Sequence, residues 1–127
     1  VYKRQVLDVM DNEGPVAVLD VSATCHMPDI LEAPYRPALR DECLGGQAVR
    51  LGGPSCLAGD VIGTYGFDAL PQAGDRLAFL DQAHYSMVKT TTFNGVRLPA
   101  LAIWNSDTDA LRMVRTFDYA DFEGRLS

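Results

Sequence analysis

Short runs of apolar and β-branched residues, each ended by turn-forming residues, recur along the whole chain. Residues 6–10 and 15–21 are two such runs, and the intervening Asp-Asn-Glu-Gly contains the residues that tight turns prefer. This arrangement predicts a β-hairpin. The opening residues 1–5 show no clear pattern. Further strands are predicted at residues 47–51, 60–66, 75–81, 96–105 and 111–118.

Helical patterns are short. Three prolines interrupt residues 22–42, and because proline fixes φ and lacks an N–H, we expect a loop there with one helical turn at Asp29–Glu32. Residues 83–93 have a helical pattern that three consecutive threonines weaken, and residues 118–126 predict a short amphipathic helix. We expect its acidic residues to face solvent: Asp118, Asp121 and Glu123. About seven short strands without strand–helix alternation predict a mainly β domain, a barrel or a sandwich, with short helices.

Composition limits the partners of this domain. The chain has 127 residues, of which 47% are hydrophobic, which suits one domain with its own core. The formal net charge of -6 argues against a nucleic-acid partner and favours a cationic ligand. No apolar run approaches the roughly 20 residues that cross a bilayer, and no leader pattern opens the chain, so we expect no membrane partner and a cytoplasmic location.

The cysteines do not suggest a metal site. Cys25, Cys43 and Cys56 are an odd number without Cys-x-x-Cys spacing, which favours reduced thiols over a disulfide framework or a zinc site. Cys56 is unusual because it lies in Gly-Pro-Ser-Cys-Leu-Ala-Gly-Asp (residues 53–60), a turn sequence, whereas a structural thiol gains free energy by burial in an apolar element. Glycine near it allows close approach of the backbone to a ligand or a partner.

Four segments together resemble the C-terminal part of the carboxynorspermidine/carboxyspermidine decarboxylases, which are alanine-racemase-like, fold-type-III pyridoxal-phosphate enzymes. The segments are residues 18–37, 51–63, 74–96 and 114–127. The specific feature is residues 53–60 followed downstream by His-Tyr-Ser-Met-Val-Lys-Thr-Thr-Thr-Phe-Asn-Gly. The resemblance implies decarboxylation of carboxynorspermidine or carboxyspermidine in polyamine biosynthesis, by a homodimer whose active sites are shared across the interface.

The same resemblance implies that residues 1–127 form a C-terminal β domain and that a TIM-like barrel carrying the cofactor lysine lies upstream. Pyridoxal 5'-phosphate is held covalently by a lysine. The chain has only Lys3 and Lys89, and neither follows the pattern of a barrel strand. We therefore expect the cofactor lysine to lie outside this chain and the isolated piece to be inactive.

The resemblance assigns roles to two residues at the reacting centre. In related basic-amino-acid decarboxylases the cysteine of this motif returns a proton to the α-carbon, so Cys56 is the expected catalytic residue, acting on the other subunit's cofactor. A thiol with an ordinary pKa of about 8.5 can donate that proton. A buried, inert thiol is the alternative. Tyr85 matches the tyrosine that reaches the cofactor phosphate, with a half-buried core position as its alternative. Phe93 and Asn94 would shape the site wall, and Asn94-Gly95 is typical of a turn with positive φ.

Four further residues are candidates for substrate binding. A polyamine arm carries ammonium groups that carboxylates bind, and the family pattern points to Asp29 for one of them. His26 would orient this region or hold the loop, and it has no second histidine at ligand spacing. Arg36 would meet a substrate carboxylate or pair with Glu32 at the surface. Asp60 would bind ligand or cap the turn.

Two other functions remain open from the sequence. One is another fold-type-III decarboxylase, acting on diaminopimelate, ornithine or arginine; Leu57 argues against it, because those enzymes tend to carry an acidic residue there. The other is a non-catalytic dimerisation or regulatory module. A pure scaffold has no need for Cys56, Tyr85 and Asp29 together, which disfavours this reading.

Overall fold

The predicted hairpin is present. In the computed structural model, which describes residues 1–126, β1 (Tyr2–Asp11) pairs antiparallel with β2 (Pro15–Leu19). The turn is closed by Gly14, whose N–H donates to Asp11 Oδ1 at 3.1 Å. Residues 2–5, which showed no pattern, extend β1 and pair with β5 (Arg76–Phe79). That pairing places this stretch in the sheet.

Five strands form one sheet in the order β4-β3-β2-β1-β5. Strand β3 (Gln47–Gly52) runs parallel to β2, and β4 (Val61–Phe67) runs antiparallel to β3. The strands predicted at these positions are therefore confirmed. A separate two-stranded sheet consists of β6 (Leu101–Asn105) and β7 (Ala110–Arg115). Strand β6 starts later than predicted, after a proline that cannot donate to a ladder.

The helices are single turns. They are α1 (Ala23–His26), α2 (Asp29–Glu32), α3 (Tyr85–Val88) and α4 (Tyr119–Glu123), with a 3₁₀ turn at Phe93–Gly95. Helices α2 and α4 are confirmed, and α1 was not predicted. The helical pattern at residues 83–93 contributes only α3 and the start of the 3₁₀ turn. The mainly β class with short helices is confirmed.

The acidic residues at α4 do more than face solvent. The Asp118 side chain accepts from Ala120 N–H, and the Asp121 side chain accepts from Asp118 N–H, so the two form a capping box. Asp121 also pairs with Arg115 at 3.0 Å. Asp118 and Glu123 are exposed as expected, and Asp118 and Asp121 in addition satisfy N–H groups that a helix N-terminus leaves free.

The core lies between the five-stranded sheet and the α1–α2 connection. All five strands contribute buried side chains, with Leu19, Tyr65 and Phe79 among the largest. Met27 and Ile30 from the connection complete the same cluster. The segment that carries His26 and Asp29 is therefore held firmly against the sheet. None of the helices among residues 1–126 has the length and hydropathy that a membrane crossing requires.

Candidate functional site

Cys56 lies at the surface on a rigid loop. Residues 53–60, called here the Cys56 loop, connect β3 to β4, and the Cys56 thiol is exposed. The backbone of Cys56 has φ of 64°, the left-handed region that non-glycine residues rarely adopt. Such strain persists only where surrounding contacts impose it, and it is concentrated at functional sites. This exposure contradicts the buried, inert alternative, and the catalytic role of Cys56 stays a prediction.

Asp60 imposes this conformation. Its side chain is 4% exposed. Oδ1 accepts from Ser22 Oγ at 2.9 Å and from Thr24 N–H at 3.1 Å, and Oδ2 accepts from Ser55 N–H at 3.0 Å. A carboxylate with three donors binds two chain segments to each other. Of its two expected roles, Asp60 takes the turn-capping one in this structure, and a role in ligand binding stays a prediction.

Gly53 is required for the same contact. A Cβ at this position would lie 2.4 Å from Asp60 Oδ2 and 2.6 Å from Ser22 Cα. The loop therefore passes so close to the residue preceding α1 that no side chain fits. The close backbone approach is therefore to another segment of this chain, and an approach to a ligand or a partner stays a prediction.

Residues 91–97 lie across both the Cys56 loop and α1. Thr91 N–H donates to Cys25 O at 2.8 Å, and Cys25 Sγ donates to Phe93 O at 3.5 Å. Asn94 has φ of 55°, as its Asn-Gly sequence predicted, and its Nδ2 donates to Ser55 O at 2.6 Å. The structure thus joins Asn94, and the segment that carries Phe93, to the loop that carries Cys56.

His26 joins the start of α1 to residues 91–97. It is fully buried, Nδ1 accepts from Ser22 N–H at 3.2 Å, and Nε2 is 3.0 Å from Arg97 O. Because Nδ1 accepts, the neutral ring carries its proton on Nε2 and donates to Arg97 O. Burial, aided by the charge of Arg4, lowers the pKa of His26 to about 4. With both ring nitrogens engaged, His26 holds the loop, and its role in substrate orientation stays a prediction.

Asp29 carries an unpaired acceptor. It is 9% exposed, and its Oδ2 accepts from Tyr35 Oη at 2.5 Å. Its Oδ1 is buried and has no hydrogen-bond partner among residues 1–126. Burial and the bond to Asp29 raise the pKa of Tyr35 to about 12, so Tyr35 remains a donor at neutral pH. An unpaired carboxylate oxygen of this kind suits an ammonium group.

Tyr85 is the first residue of α3, and Lys89 directly follows that helix. Tyr85 is 61% exposed, and Lys89 Nζ lies 5.4 Å from the centre of its ring. Lys89 pairs with Glu32, and that bond raises the pKa of Lys89. A lysine that reacts with an aldehyde must lose its proton, so this pairing supports the expectation that Lys89 is not the cofactor lysine.

The surface partner expected for Arg36, Glu32, was wrong. Its Nη1 donates to Glu42 Oε1 at 2.6 Å and to Thr64 O at 3.1 Å, and the guanidinium lies 4.4 Å from the centre of the Tyr65 ring. Glu32 pairs with Lys89 instead. Helix α2 ends at Glu32 before a proline, so residues 32 and 36 do not share a helical turn. A substrate-carboxylate role for Arg36 stays a prediction.

Three site residues were missed from the sequence. Ser22 caps α1 and binds Asp60, and Tyr35 holds Asp29. Gln82 is 4% exposed with an unpaired Oε1 among the described residues. Ser22 ahead of Ala-Thr-Cys-His is a helix-start signal, and Tyr35 lies between two prolines in Pro-Tyr-Arg-Pro, where only the arginine is a predicted ligand. Nothing local marks Gln82.

Comparison with known proteins identifies relatives. No family model matches the chain. The chain is 53% identical over 113 residues to the carboxyaminopropylagmatine decarboxylase of Synechocystis sp., and 41% identical over 134 residues to the carboxynorspermidine/carboxyspermidine decarboxylase of Campylobacter jejuni. These matches cover 87% and 94% of this chain but 29% and 35% of the relatives. The chain thus spans about a third of the length of the curated relatives it matches.

The fold has a close counterpart among solved structures. The crystal structure of carboxynorspermidine decarboxylase from Campylobacter jejuni, complexed with norspermidine, matches with a TM-score of 0.91 at 39% identity. The match covers 97% of this chain and 37% of that one. Lysine and arginine decarboxylase structures match at 24% identity or less with TM-scores up to 0.65, which shows a shared fold alone.

These findings confirm the resemblance inferred from the sequence and add a relative, the carboxyaminopropylagmatine decarboxylase, that the sequence analysis did not consider. The chain belongs to the carboxynorspermidine/carboxyspermidine decarboxylase-like proteins of the fold-type-III pyridoxal-phosphate decarboxylases, as a C-terminal part.

Proposed function

We propose that this chain is the C-terminal β domain of a longer enzyme, the parent enzyme, that decarboxylates an α-amino acid extended by a polyamine arm, carboxynorspermidine or carboxyspermidine. The observation that carries the proposal is Cys56: an exposed thiol on a strained backbone, in a loop that Asp60 and Asn94 hold in place. A merely structural thiol would be buried, as Cys25 is. The outward position supports a thiol that reacts with a group brought by another part of the enzyme.

The residues of this domain fit the expected cofactor. Tyr85 is an exposed neutral donor, which suits a phosphate oxygen, and the paired Lys89 leaves the covalent attachment to a lysine elsewhere in the parent enzyme. Pyridoxal phosphate, when bound, supplies the electron sink that decarboxylation of an amino acid requires. Cys56 returns a proton to the α-carbon after carbon dioxide leaves. The parent enzyme is a homodimer in which this thiol serves the neighbouring subunit's site.

Asp29 binds an ammonium group of the substrate arm. Its buried Oδ1 has no partner among residues 1–126, and a carboxylate in that state is destabilising until a donor arrives. Tyr35 occupies Oδ2 and fixes the orientation of the carboxylate. The acidic net charge of the chain, -6, favours approach of a polycation.

A second candidate substrate is carboxyaminopropylagmatine, which the 53% identity to the Synechocystis enzyme favours. It differs from carboxynorspermidine and carboxyspermidine in the group at the end of the arm, a guanidinium in place of an ammonium. Kinetics of the parent enzyme with carboxynorspermidine, carboxyspermidine and carboxyaminopropylagmatine decide between them by the ratio of kcat/KM values. Turnover of diaminopimelate, ornithine or arginine in preference to all three would contradict the proposal.

The role of Cys56 is tested by Cys56→Ala in the parent enzyme, with Cys43→Ala as the matched control. Loss of a general acid reduces turnover by about 10²–10⁴-fold. We expect a loss of this size for formation of the amine product by Cys56→Ala and ordinary turnover by Cys43→Ala. Unchanged turnover by Cys56→Ala would remove Cys56 from the mechanism, and absence of any decarboxylation by the unmodified parent enzyme would favour the non-catalytic module.

A further inference from the structure

Ser55, the residue that precedes Cys56, is held at both ends of its backbone. It is fully buried, and its N–H donates to Asp60 Oδ2 at 3.0 Å. Its carbonyl oxygen accepts from Asn94 Nδ2 at 2.6 Å. That oxygen belongs to the peptide group that contains the Cys56 nitrogen, and a peptide group is planar. The Asn94 amide therefore fixes the plane that leads into the Cys56 Cα.

The backbone conformation of Cys56 needs such a restraint. Its φ of 64° lies in the left-handed region, which a residue with a Cβ occupies at a cost in free energy. Relaxation to a negative φ would rotate the Ser55 carbonyl relative to the Cys56 side chain. That rotation would break the hydrogen bond from Asn94, so the bond opposes the relaxation. The contact from Asp60 acts on the other peptide group of Ser55 and does not restrain this plane directly.

The segment that carries Asn94 is anchored without its side chain. Thr91 N–H donates to Cys25 O at 2.8 Å, and His26 Nε2 lies 3.0 Å from Arg97 O, so both ends of the segment are joined to α1. The Asn94 backbone has φ of 55°, which asparagine adopts more readily than most residues. Removal of the side-chain amide therefore leaves the segment in place and takes away its contact to Ser55.

We propose that Asn94 is a positioning residue for the Cys56 thiol, which it directs through the Ser55 carbonyl. This role rests on the proposed function, in which Cys56 donates a proton to the α-carbon. Substitution of Asn94 should lower kcat, since the donor is misdirected, and leave KM unchanged, since Asn94 binds the Cys56 loop and not the substrate. If Asn94 served only its turn, glycine would replace it fully, because glycine accepts positive φ without strain.

The test is a double-mutant cycle of Asn94→Gly and Cys56→Ala in the parent enzyme, with the best of the three candidate substrates. Asn94→Gly keeps the turn and removes the donor, and we expect kcat for formation of the amine product to fall by about 10–10²-fold at unchanged KM. In the Cys56→Ala background the same substitution should have no further effect, because residues that act as a unit are not additive. Asn12→Gly, in the exposed turn between β1 and β2, is the matched control and should behave as the unmodified enzyme.

The outcomes separate this role from the proposed function. Unchanged kcat for Asn94→Gly, or an equal loss in both backgrounds, would overturn the positioning role while Cys56→Ala alone still showed its own loss. Unimpaired turnover by Cys56→Ala would overturn the proposed function, and the positioning role with it. If Asn94→Gly does not fold, Asn94→Asp repeats the cycle, since aspartate has the same size, tolerates positive φ and, when ionised, cannot donate to Ser55 O.

A crystal structure of the parent enzyme without cofactor gives a readout that does not depend on turnover. In Asn94→Gly the peptide group between Ser55 and Cys56 should be released, with Cys56 at negative φ or in two conformers. The unmodified enzyme, crystallised in the same way, should keep Cys56 in the left-handed region. The same positive φ in a single conformer in both proteins would contradict the proposal.

Discussion

Acidification should loosen the Cys56 site through His26. The ring is fully buried between Ser22 N–H and Arg97 O, and its Nδ1 can accept from Ser22 only while it has no proton. Burial lowers the pKa of His26 from 6.5 to about 4 in the folded chain. The unfolded chain therefore binds more protons between these values. The stabilisation is fully present above pH 6.5 and is lost as pH falls toward 4.

The size of the effect follows from that difference in pKa. At about 1.4 kcal/mol per pH unit, a pKa that falls from 6.5 to about 4 corresponds to about 3 kcal/mol of folding free energy. About 2 kcal/mol of it should disappear between pH 7 and pH 5. That is a large share of the stability of a small domain.

Urea unfolding followed by circular dichroism measures this loss. We compare the unmodified chain with His26→Gln, which cannot take up the proton, and with His84→Gln, which removes the exposed histidine. His26→Gln should be less stable at pH 7 but should lose about 2 kcal/mol less than the unmodified chain between pH 7 and pH 5. His84→Gln should follow the unmodified chain. Equal losses in all three proteins would refute the reasoning, since carboxylates would then explain the whole pH dependence.

Further substitutions test the contacts that hold the Cys56 loop and α4. Gly53→Ala should lower the free energy of unfolding by about 1–3 kcal/mol through overpacking. Gly59→Ala, with nothing within 4 Å of its Cβ position, is the control and should lower it much less. Equal urea midpoints for the two variants would contradict the close approach at Gly53. Asp60→Asn should lower the free energy of unfolding by about 1–3 kcal/mol, because a carboxylate oxygen that accepts an N–H is replaced by a donor. Asp107→Asn, at an exposed position, should leave it unchanged in the same assay. Asp118→Ala should cost about 1 kcal/mol through loss of the α4 cap, and an unchanged midpoint would show that the cap does not stabilise the chain.

Most strands could be predicted because their signal is local. Short runs of apolar and β-branched residues bounded by turn residues identify β2, β3 and β4, and alternation after the Pro-x-x-Gly-Asp turn identifies β5. The start of β1 could not be predicted, since residues 2–5 are ordered by pairing with a strand more than seventy residues later. The parallel arrangement of β2 and β3 depends likewise on the α1–α2 connection, which local pattern did not reveal.

The candidate site likewise has features that the local sequence predicts and features that it does not. The exposure of Cys56 and the positive φ of Asn94 follow from Gly, Pro and Asn in their own turns, so sequence was sufficient. The partners of Asp60 and Arg36 depend on residues that only the folded chain brings near. A buried polar contact between Ser22 and Asp60 spans 38 positions in the sequence, and no spacing rule predicts it.

We propose that the Cys56 thiol acts outward, at the site of a neighbouring subunit. Co-expression of two parent-enzyme variants measures this directly: one carries Cys56→Ala, and the other lacks the lysine that we expect to hold the cofactor. Random pairing makes half of the dimers mixed, and each mixed dimer has one complete shared site, so we expect decarboxylation at about a quarter of the unmodified rate. A co-expressed sample no more active than either variant alone would contradict the claim.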